Sequence, residues 1–137
     1  MNPVKGFNVL GAHVDVITTA EMTGGRTCVV VETSPPGGGP PPHSHQNEDE
    51  TFYVLEGEYE ILSEGKWHKL TKGEGAHSNR GSLHTFRNAG AGTGKILIVV
   101  SPGGFENYLE EISVLSLPQD MPQLLAISDR YGIKFVL

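Results

Sequence analysis

Cysteine is nearly absent from this chain, since Cys28 is the one such residue among 137. A single cysteine rules out a disulfide within the chain, so a reducing compartment is compatible with the sequence. No apolar run approaches the roughly 20 residues that a membrane-spanning helix needs. The first residues, Met-Asn-Pro-Val-Lys-Gly, also lack the apolar core of a secretory signal. We therefore expect a cytoplasmic protein without a membrane partner.

Positive charge is also scarce in the sequence. Ten lysine and arginine residues stand against sixteen aspartate and glutamate residues, which gives a formal net charge of −6. The ten basic residues are scattered along the chain and form no stripe that could neutralise a phosphate backbone. Nucleic acid is therefore excluded as the expected partner.

Glycine and proline, in contrast, are abundant, with eighteen and nine residues. This composition favours many short strands joined by tight turns. The segments from His13 to Met22 and from Thr27 to Thr33 have strand patterns, and Thr23-Gly24-Gly25 between them is a hairpin signal. The length favours one domain, residues 1–137, with a strand-rich core at about 13–101.

The sequence pattern changes from strand to helix after this core. Apolar residues then recur at i, i+3, i+4 and i+7, the stripe of an amphipathic helix: Phe105, Tyr108, Leu109 and Ile112. A second short helix is predicted from Pro122 to Tyr131, just before Gly132. We expect this helical tail, about 104–131, to pack on the strand region. A lid and a dimer contact are the alternative roles.

Two short segments carry histidines at a spacing that suits strands. His43 and His45 are two residues apart, so on a strand their imidazoles project from the same face. A polar stretch that can turn the chain follows, and Glu50 then begins a new strand. His84 comes from a third segment. Three imidazoles and one carboxylate suit a borderline divalent transition metal, and Glu48 is the alternative carboxylate.

The same residues belong to two longer motifs. These are Gly37-x5-His43-x-His45-x4-Glu50-x6-Gly57 and Gly73-x5-Asn79-x-Gly81-x2-His84-x3-Asn88. They resemble the two signatures of the cupin superfamily, and the wider stretch from Arg26 to Ser101 is similar to small single-domain cupins labelled quercetinase-like. Asn79 departs from the pattern, which usually has proline there. The position is a turn element and not a ligand.

The resemblance implies an all-β fold, a double-stranded β-helix or conical jelly roll, here with a short C-terminal helical tail. It also implies one divalent metal ion, held by His43, His45, Glu50 and His84. Iron, manganese, nickel, copper and zinc all accept these ligands, and the sequence does not choose among them. Four ligands leave open positions for substrate on a six-coordinate metal. Glu50 is a candidate catalytic base as well as a ligand.

Five apolar or aromatic residues share strand phases with the expected ligands and are candidates for the substrate-binding wall: Phe52, Val54, Tyr59, Ile61 and Phe86. Small barrels are often filled by their own side chains, so these residues have two possible roles. They either line a pocket or complete the core.

Three functions remain open on the sequence. The first is a quercetinase-like dioxygenase acting on a small enolic or aromatic substrate. The second is a metal-dependent isomerase or lyase of a small polar substrate, which would need inward-facing lysine or arginine. The third is a non-catalytic module that binds a small molecule. We also expect a homodimer, because an open-edged barrel commonly covers its edges with a second copy.

Overall fold

A computed structural model describes residues 5–137, and antiparallel strands dominate this part of the chain. The strands are β1 (Lys5–Val9), β2 (Ala12–Thr18), β3 (Cys28–Ser34), β4 (His43–His45), β5 (Asp49–Glu56), β6 (Glu58–Ser63), β7 (Lys66–Thr71), β8 (Gly75–Ser78), β9 (Thr85–Asn88), β10 (Gly94–Ser101) and β11 (Ile133–Phe135). The helices are α1 (Ala20–Thr23), α2 (Phe105–Ile112) and α3 (Met121–Arg130). None of the described helices is long and apolar enough to cross a membrane.

Two sheets face each other across the core. The larger has the strand order β1-β2-β3-β10-β5-β8, and the smaller has the order β7-β6-β9. Phe52 of the larger sheet meets Phe86 of the smaller one, with ring centroids 5.8 Å apart. A third, two-stranded sheet joins β4 to β11 at one end. The predicted jelly roll with a short helical tail is confirmed.

Strand β10 is central to the larger sheet, and it shows how the sequence fills the core. Its alternate residues Gly94, Ile96, Ile98 and Val100 are buried, as expected for a strand with one face on the core. Ile98 is paired with Val30 of β3 on one side and Phe52 of β5 on the other. This register forms a continuous apolar row across three strands, directly beside the candidate ligands.

The segment predicted as a strand from His13 to Met22 is a strand only as far as Thr18, so that prediction is wrong at its end. A single helical turn, α1, follows because the Thr19 hydroxyl accepts a hydrogen bond from the backbone of Met22 at 3.2 Å. Gly24, with a φ of 64°, then ends the turn in the left-handed conformation. The glycine pair therefore closes a helical turn and not a tight hairpin.

The helical tail folds back over one end of the barrel. Tyr108, Leu109 and Ile112 of α2 are buried, and the Tyr108 hydroxyl is hydrogen-bonded to Ser128 of α3 at 2.7 Å. After α3 the chain turns at Gly132 and returns as β11, which pairs with β4. Both β1 and β11 lie outside the range 13–101 that the sequence indicated for the strand-rich core.

Gly39 is needed for a close approach between the loop before β4 and strand β9. A Cβ atom placed on Gly39 would lie 1.9 Å from the carbonyl oxygen of Phe86. The loop cannot easily move away, because Asn88 donates its backbone N–H to Gly38 and accepts one from Gly37. This contact fixes the path of the chain into His43.

We predict that Gly39→Ala lowers the free energy of unfolding by about 1–3 kcal/mol, the usual cost of forcing an extra group into packed structure. Chemical denaturation measures this difference. Gly92→Ala is the matched control, because its added Cβ meets nothing within 4 Å and its φ is not left-handed. Equal unfolding free energies for the two variants would contradict the close approach.

Candidate metal centre

His43 and His45 lie on β4, a three-residue strand whose first and last side chains are buried. On one side β4 pairs with β11, which places His43 opposite Phe135 and His45 opposite Ile133. On the other side two backbone hydrogen bonds of 2.9 and 2.8 Å join His43 to His84. Strand alternation sends the imidazoles of His43 and His45 to one face, and the bridge brings His84 beside them.

Glu50 reaches the same point from the larger sheet. It is the second residue of β5, opposite Val100 of β10 and Ser78 of β8. Its Oε2 lies 2.5 Å from Nε2 of His84 and 3.5 Å from Nε2 of His45. One potential ligand atom from each of the four residues lies within 4.8 Å of the others, and all four residues are buried. The structure thus brings together the four residues singled out by the motif spacing.

The outward nitrogen of each ring is fixed by an oxygen that can only accept. Nδ1 donates in each case: from His43 to the Pro41 carbonyl at 2.8 Å, from His45 to the Glu48 carboxylate at 3.0 Å, and from His84 to the Ser82 carbonyl at 3.1 Å. In a neutral imidazole this leaves the Nε2 lone pair free, directed inward. Glu48, the alternative ligand in the sequence, therefore lies behind His45 and orients it.

Burial and the neighbouring charges set the protonation of the cluster. Burial lowers the pKa of His43 to about 4, and the rings of His84 and His45 add to this effect. Burial alone would raise the pKa of Glu50, but the imidazoles, His45 foremost, lower it to about 2. Burial likewise opposes a charge on His45, yet the carboxylates of Glu50 and Glu48 raise its pKa. At neutral pH the centre therefore holds one buried carboxylate among three rings.

Three atoms of the centre are buried and have no hydrogen-bond partner: Nε2 of His45, Nε2 of His84 and Oε2 of Glu50. His84 and Glu50 are close, but their contact is not aligned as a hydrogen bond. Unpaired buried polar atoms cost about 1–3 kcal/mol each, so such a cluster calls for a ligand. Two imidazole nitrogens and a carboxylate oxygen are donors that a divalent transition metal accepts. These residues fit a metal ion and could hold one.

The centre opens into a cavity of about 300 Å³ whose wall is mostly apolar. Phe52 and Phe86, two of the five candidates for the substrate wall, line this cavity. Val54, Tyr59 and Ile61 do not, although all three are buried in the core. The β5 register explains the difference, because Val54 lies one inward position beyond Phe52, farther from Glu50. The wall assignment therefore stays a proposal for Phe52 and Phe86 alone.

The helical tail supplies the largest part of the wall that the sequence analysis did not assign to the site. Four lining residues come from α2, and they are the residues of its predicted apolar stripe: Phe105, Tyr108, Leu109 and Ile112. Phe135 of β11 also lines the cavity, with its ring centroid 5.5 Å from that of His43. The stripe was visible in the sequence, but its spacing does not tell which surface a helix covers.

Glu32 of β3 is a second carboxylate in the cavity wall, and it was also missed. Glu32 directly follows the apolar run Cys28–Val31 and shares the strand phase of Val30, but this pattern alone does not distinguish a cavity position from an exposed one. Burial raises the pKa of Glu32 to about 7, although a hydrogen bond from Ser34 opposes the shift. A carboxyl with this pKa can both hold and release a proton near neutral pH.

The remaining histidines lie away from the centre. His77 is exposed on β8, where Nδ1 contacts the Thr51 hydroxyl and Nε2 contacts the Asn79 side chain, each at 2.9 Å. His13 is exposed on β2 and lies 3.0 Å from Asp15. His68 is exposed on β7. None of these three histidines lines the cavity.

The fold has two facing antiparallel sheets, and three histidines and one glutamate point inward between them. These features place the protein in the class of double-stranded β-helix proteins with a candidate metal site. A family model described as a cupin domain matches residues 30–100, just over half of the chain. The chain belongs to the cupin family.

Relatives of known structure or activity extend this result. Quercetin 2,3-dioxygenase of Bacillus subtilis (strain 168) is 29% identical over 97 residues, which cover 71% of this chain and 28% of that protein. The chain thus spans little more than a quarter of the length of this relative. KdgF from Halomonas sp. superposes with a TM-score of 0.67 at 18% identity, covering 75% of this chain and 90% of the other. A predicted oxalate decarboxylase from Thermotoga maritima superposes with a TM-score of 0.64 at 23% identity. The match covers 66% of this chain and 80% of the other.

Proposed function

We propose that this protein is a divalent-metal-binding cupin that acts as a quercetinase-like dioxygenase on a small enolic or aromatic substrate. The observation that carries the proposal is the set of three unpartnered buried ligand atoms at one side of an otherwise apolar cavity. The similarity to quercetin 2,3-dioxygenase supports it. The chemistry of this substrate class matches the cavity, because aromatic rings bury apolar surface while their hydroxyl groups reach the polar centre.

His43, His45, Glu50 and His84 are the residues that would hold the metal. A redox-active metal bound there supplies the activation of dioxygen, and any of Fe, Mn, Ni, Cu or Zn supplies Lewis acidity. The protein contributes fixed geometry, because the Nδ1 hydrogen bonds hold each ring with Nε2 directed inward. Glu48 and the carbonyls of Pro41 and Ser82 are therefore positioning groups.

Glu50 is the proposed proton acceptor of the site. Its low pKa keeps Oε2 ionised at neutral pH, so this atom can accept a hydrogen bond or a proton from an incoming hydroxyl group. A carboxylate with so low a pKa is a weak base, so proton transfer to Glu50 is least unfavourable from the more acidic hydroxyl groups. Enols, catechols and flavonols meet this requirement better than sugar alcohols do.

The apolar wall favours the oxygenase over the metal-dependent isomerase or lyase, one of the two alternatives left open by the sequence. A metal-dependent isomerase or lyase of a polar substrate would need cationic groups in the cavity, and no lysine or arginine lines it among residues 5–137. Phe52, Phe86 and Phe105 instead exclude water from bound ligand. A non-catalytic binding cupin would share the same wall, and turnover is what separates it from an oxygenase.

We also propose that the protein works as a cytoplasmic homodimer. Strands β1 and β8 are the edges of the six-stranded sheet, and each pairs with a single neighbour. Edge strands present unpaired backbone groups that a second copy can satisfy.

We predict that the protein purified without added metal contains close to one divalent transition metal ion per chain, and that His45→Ala removes most of it. The variant loses an inward imidazole, and the Glu48 carboxylate that orients this ring loses its hydrogen-bond partner. Mass spectrometry of metal content makes the measurement. His68→Ala, at an exposed position on β7, is the control and should keep its metal. Full occupancy in His45→Ala would show that the site is misassigned.

We further predict oxygen consumption when the metal-bearing protein meets catechol or another small enolic compound, measured with an oxygen electrode under conditions that suppress autoxidation. Consumption should fall to the background rate in His45→Ala and remain in His68→Ala. Protein that carries its metal and binds these compounds without consuming oxygen would be a binding cupin, which overturns the oxygenase proposal.

A further inference from the structure

Glu32 is a charged residue in a wall that is otherwise built for apolar contact. On β3 it lies in the same strand phase as Val30, and the register places it opposite Val14 of β2 and Ile96 of β10. Val14, Val30 and Ile96 are buried, and Glu32 lines the cavity with the two valines. Glu32 itself is half-buried, and an apolar side chain would fill this position at lower cost, since partial burial of a carboxylate without a cation is unfavourable.

One oxygen of Glu32 is held by a chain of two buried hydroxyl groups. The Tyr59 hydroxyl donates to Ser34 Oγ at 3.2 Å, and Ser34 Oγ donates to Glu32 Oε2 at 3.3 Å. Within residues 5–137 the other oxygen, Oε1, accepts no hydrogen bond, and no lysine, arginine or histidine forms an ion pair with Glu32. The side chain is thus oriented by the protein while one acceptor is left for a ligand.

Glu32 and Glu50 line the same cavity from different strands. Strand β10 lies between β3 and β5, and the residue of β5 that shares the register row of Glu32 and Ile96 is Val54, four positions from Glu50. The two carboxylates are therefore offset by four residue positions along the strands, with β10 between them, and the charge of Glu50 adds to burial in raising the pKa of Glu32. A ligand that contacts both carboxylates must carry two polar groups separated by an apolar body.

The size of the cavity limits that body to a small one. Its volume is about 300 Å³, roughly twice the 150 Å³ of an engineered apolar cavity that binds benzene. Two fused aromatic rings therefore fit, with one substituent directed to each end. Burial raises the pKa of Glu32 to about 7, so near neutral pH the ionised form that accepts a hydrogen bond is well populated.

We propose that Glu32 is a ligand-selecting residue, which accepts a hydrogen bond from a hydroxyl group at the end of an aromatic ligand remote from the metal centre. The proposal rests on the proposed function, because it names the chemical class of molecule that the metal-bearing cavity takes. The proposal adds that the ligand needs two hydroxyl groups on opposite sides of its ring system, one in contact with Glu50 and the other in contact with Glu32.

Two probes of the same ring system test this selection. These are 2,6-dihydroxynaphthalene, with a hydroxyl group at each end, and 6-methoxy-2-naphthol, in which one hydroxyl group is a methyl ether. Both retain one hydroxyl group for the metal centre, so their affinity ratio reports the second end alone. Calorimetric titration should give at least tenfold tighter binding of the diol by the wild-type protein, since charge-assisted hydrogen bonds are the strong ones.

Glu32→Met, which keeps the length and loses the acceptor, should bring the affinity ratio close to one. Glu56→Met, the same change at an exposed position of β5, is the matched control and should keep the wild-type ratio. If Glu32→Met fails to fold, Glu32→Gln replaces it. In Glu32→Gln the ratio should fall at least threefold, because a neutral amide oxygen is a weaker acceptor.

A wild-type ratio near one overturns the proposal, as does a wild-type ratio that survives in the folded Glu32 variant. Metal content, measured on the same samples, separates this result from the proposed function. If Glu32→Met keeps the wild-type metal content while its affinity ratio falls close to one, selection by Glu32 is supported. If the wild-type protein contains no metal and still prefers the diol, selection by Glu32 stands and the proposed metal-dependent function is overturned.

Discussion

A carboxylate removed from water needs compensating charge, and Glu50 sits in the barrel interior with three imidazoles around it. Hydrogen bonding cannot satisfy this group, since its Oε2 and two of the facing nitrogens are unpartnered. The structure nevertheless holds these groups firmly in place. β4 is held between β11 and the His43–His84 bridge, and Glu50 lies within the central sheet. A metal-binding site needs ligand atoms that are held in place and have no other partner, together with a negative charge, before the ion binds.

The wall around this centre combines strong apolar character with one exception. Helix α2 and strand β11 line the cavity with aromatic and aliphatic side chains, and electrostatic interactions are stronger in such low-polarity surroundings. Glu32 is the exception, and the Tyr59–Ser34 chain of hydroxyl groups orients it. The cavity therefore has two polar points joined by an apolar surface. That distribution suits a flat aromatic molecule with polar groups at both ends.

Motif spacing predicted the four residues of the centre because each lies at a fixed step along a strand or turn. Such local steps are readable from sequence, as His43 and His45 illustrate. The cavity wall was less predictable, since it depends on how distant segments meet. The α2 stripe showed an apolar face without its target, and β11 is too short to stand out from a tail. Glu32 was missed because one charge at the end of an apolar run has the same pattern whether it faces solvent or a cavity.

Anomalous diffraction from a crystal of the metal-bearing protein decides whether the four side chains converge on one ion. Data collected on both sides of the absorption edge of the metal locate it without reference to the protein. We expect one peak, enclosed by His43, His45, Glu50 and His84. A peak at the exposed His13 or His77 instead, or none in protein shown to contain metal, would contradict the assignment of the centre.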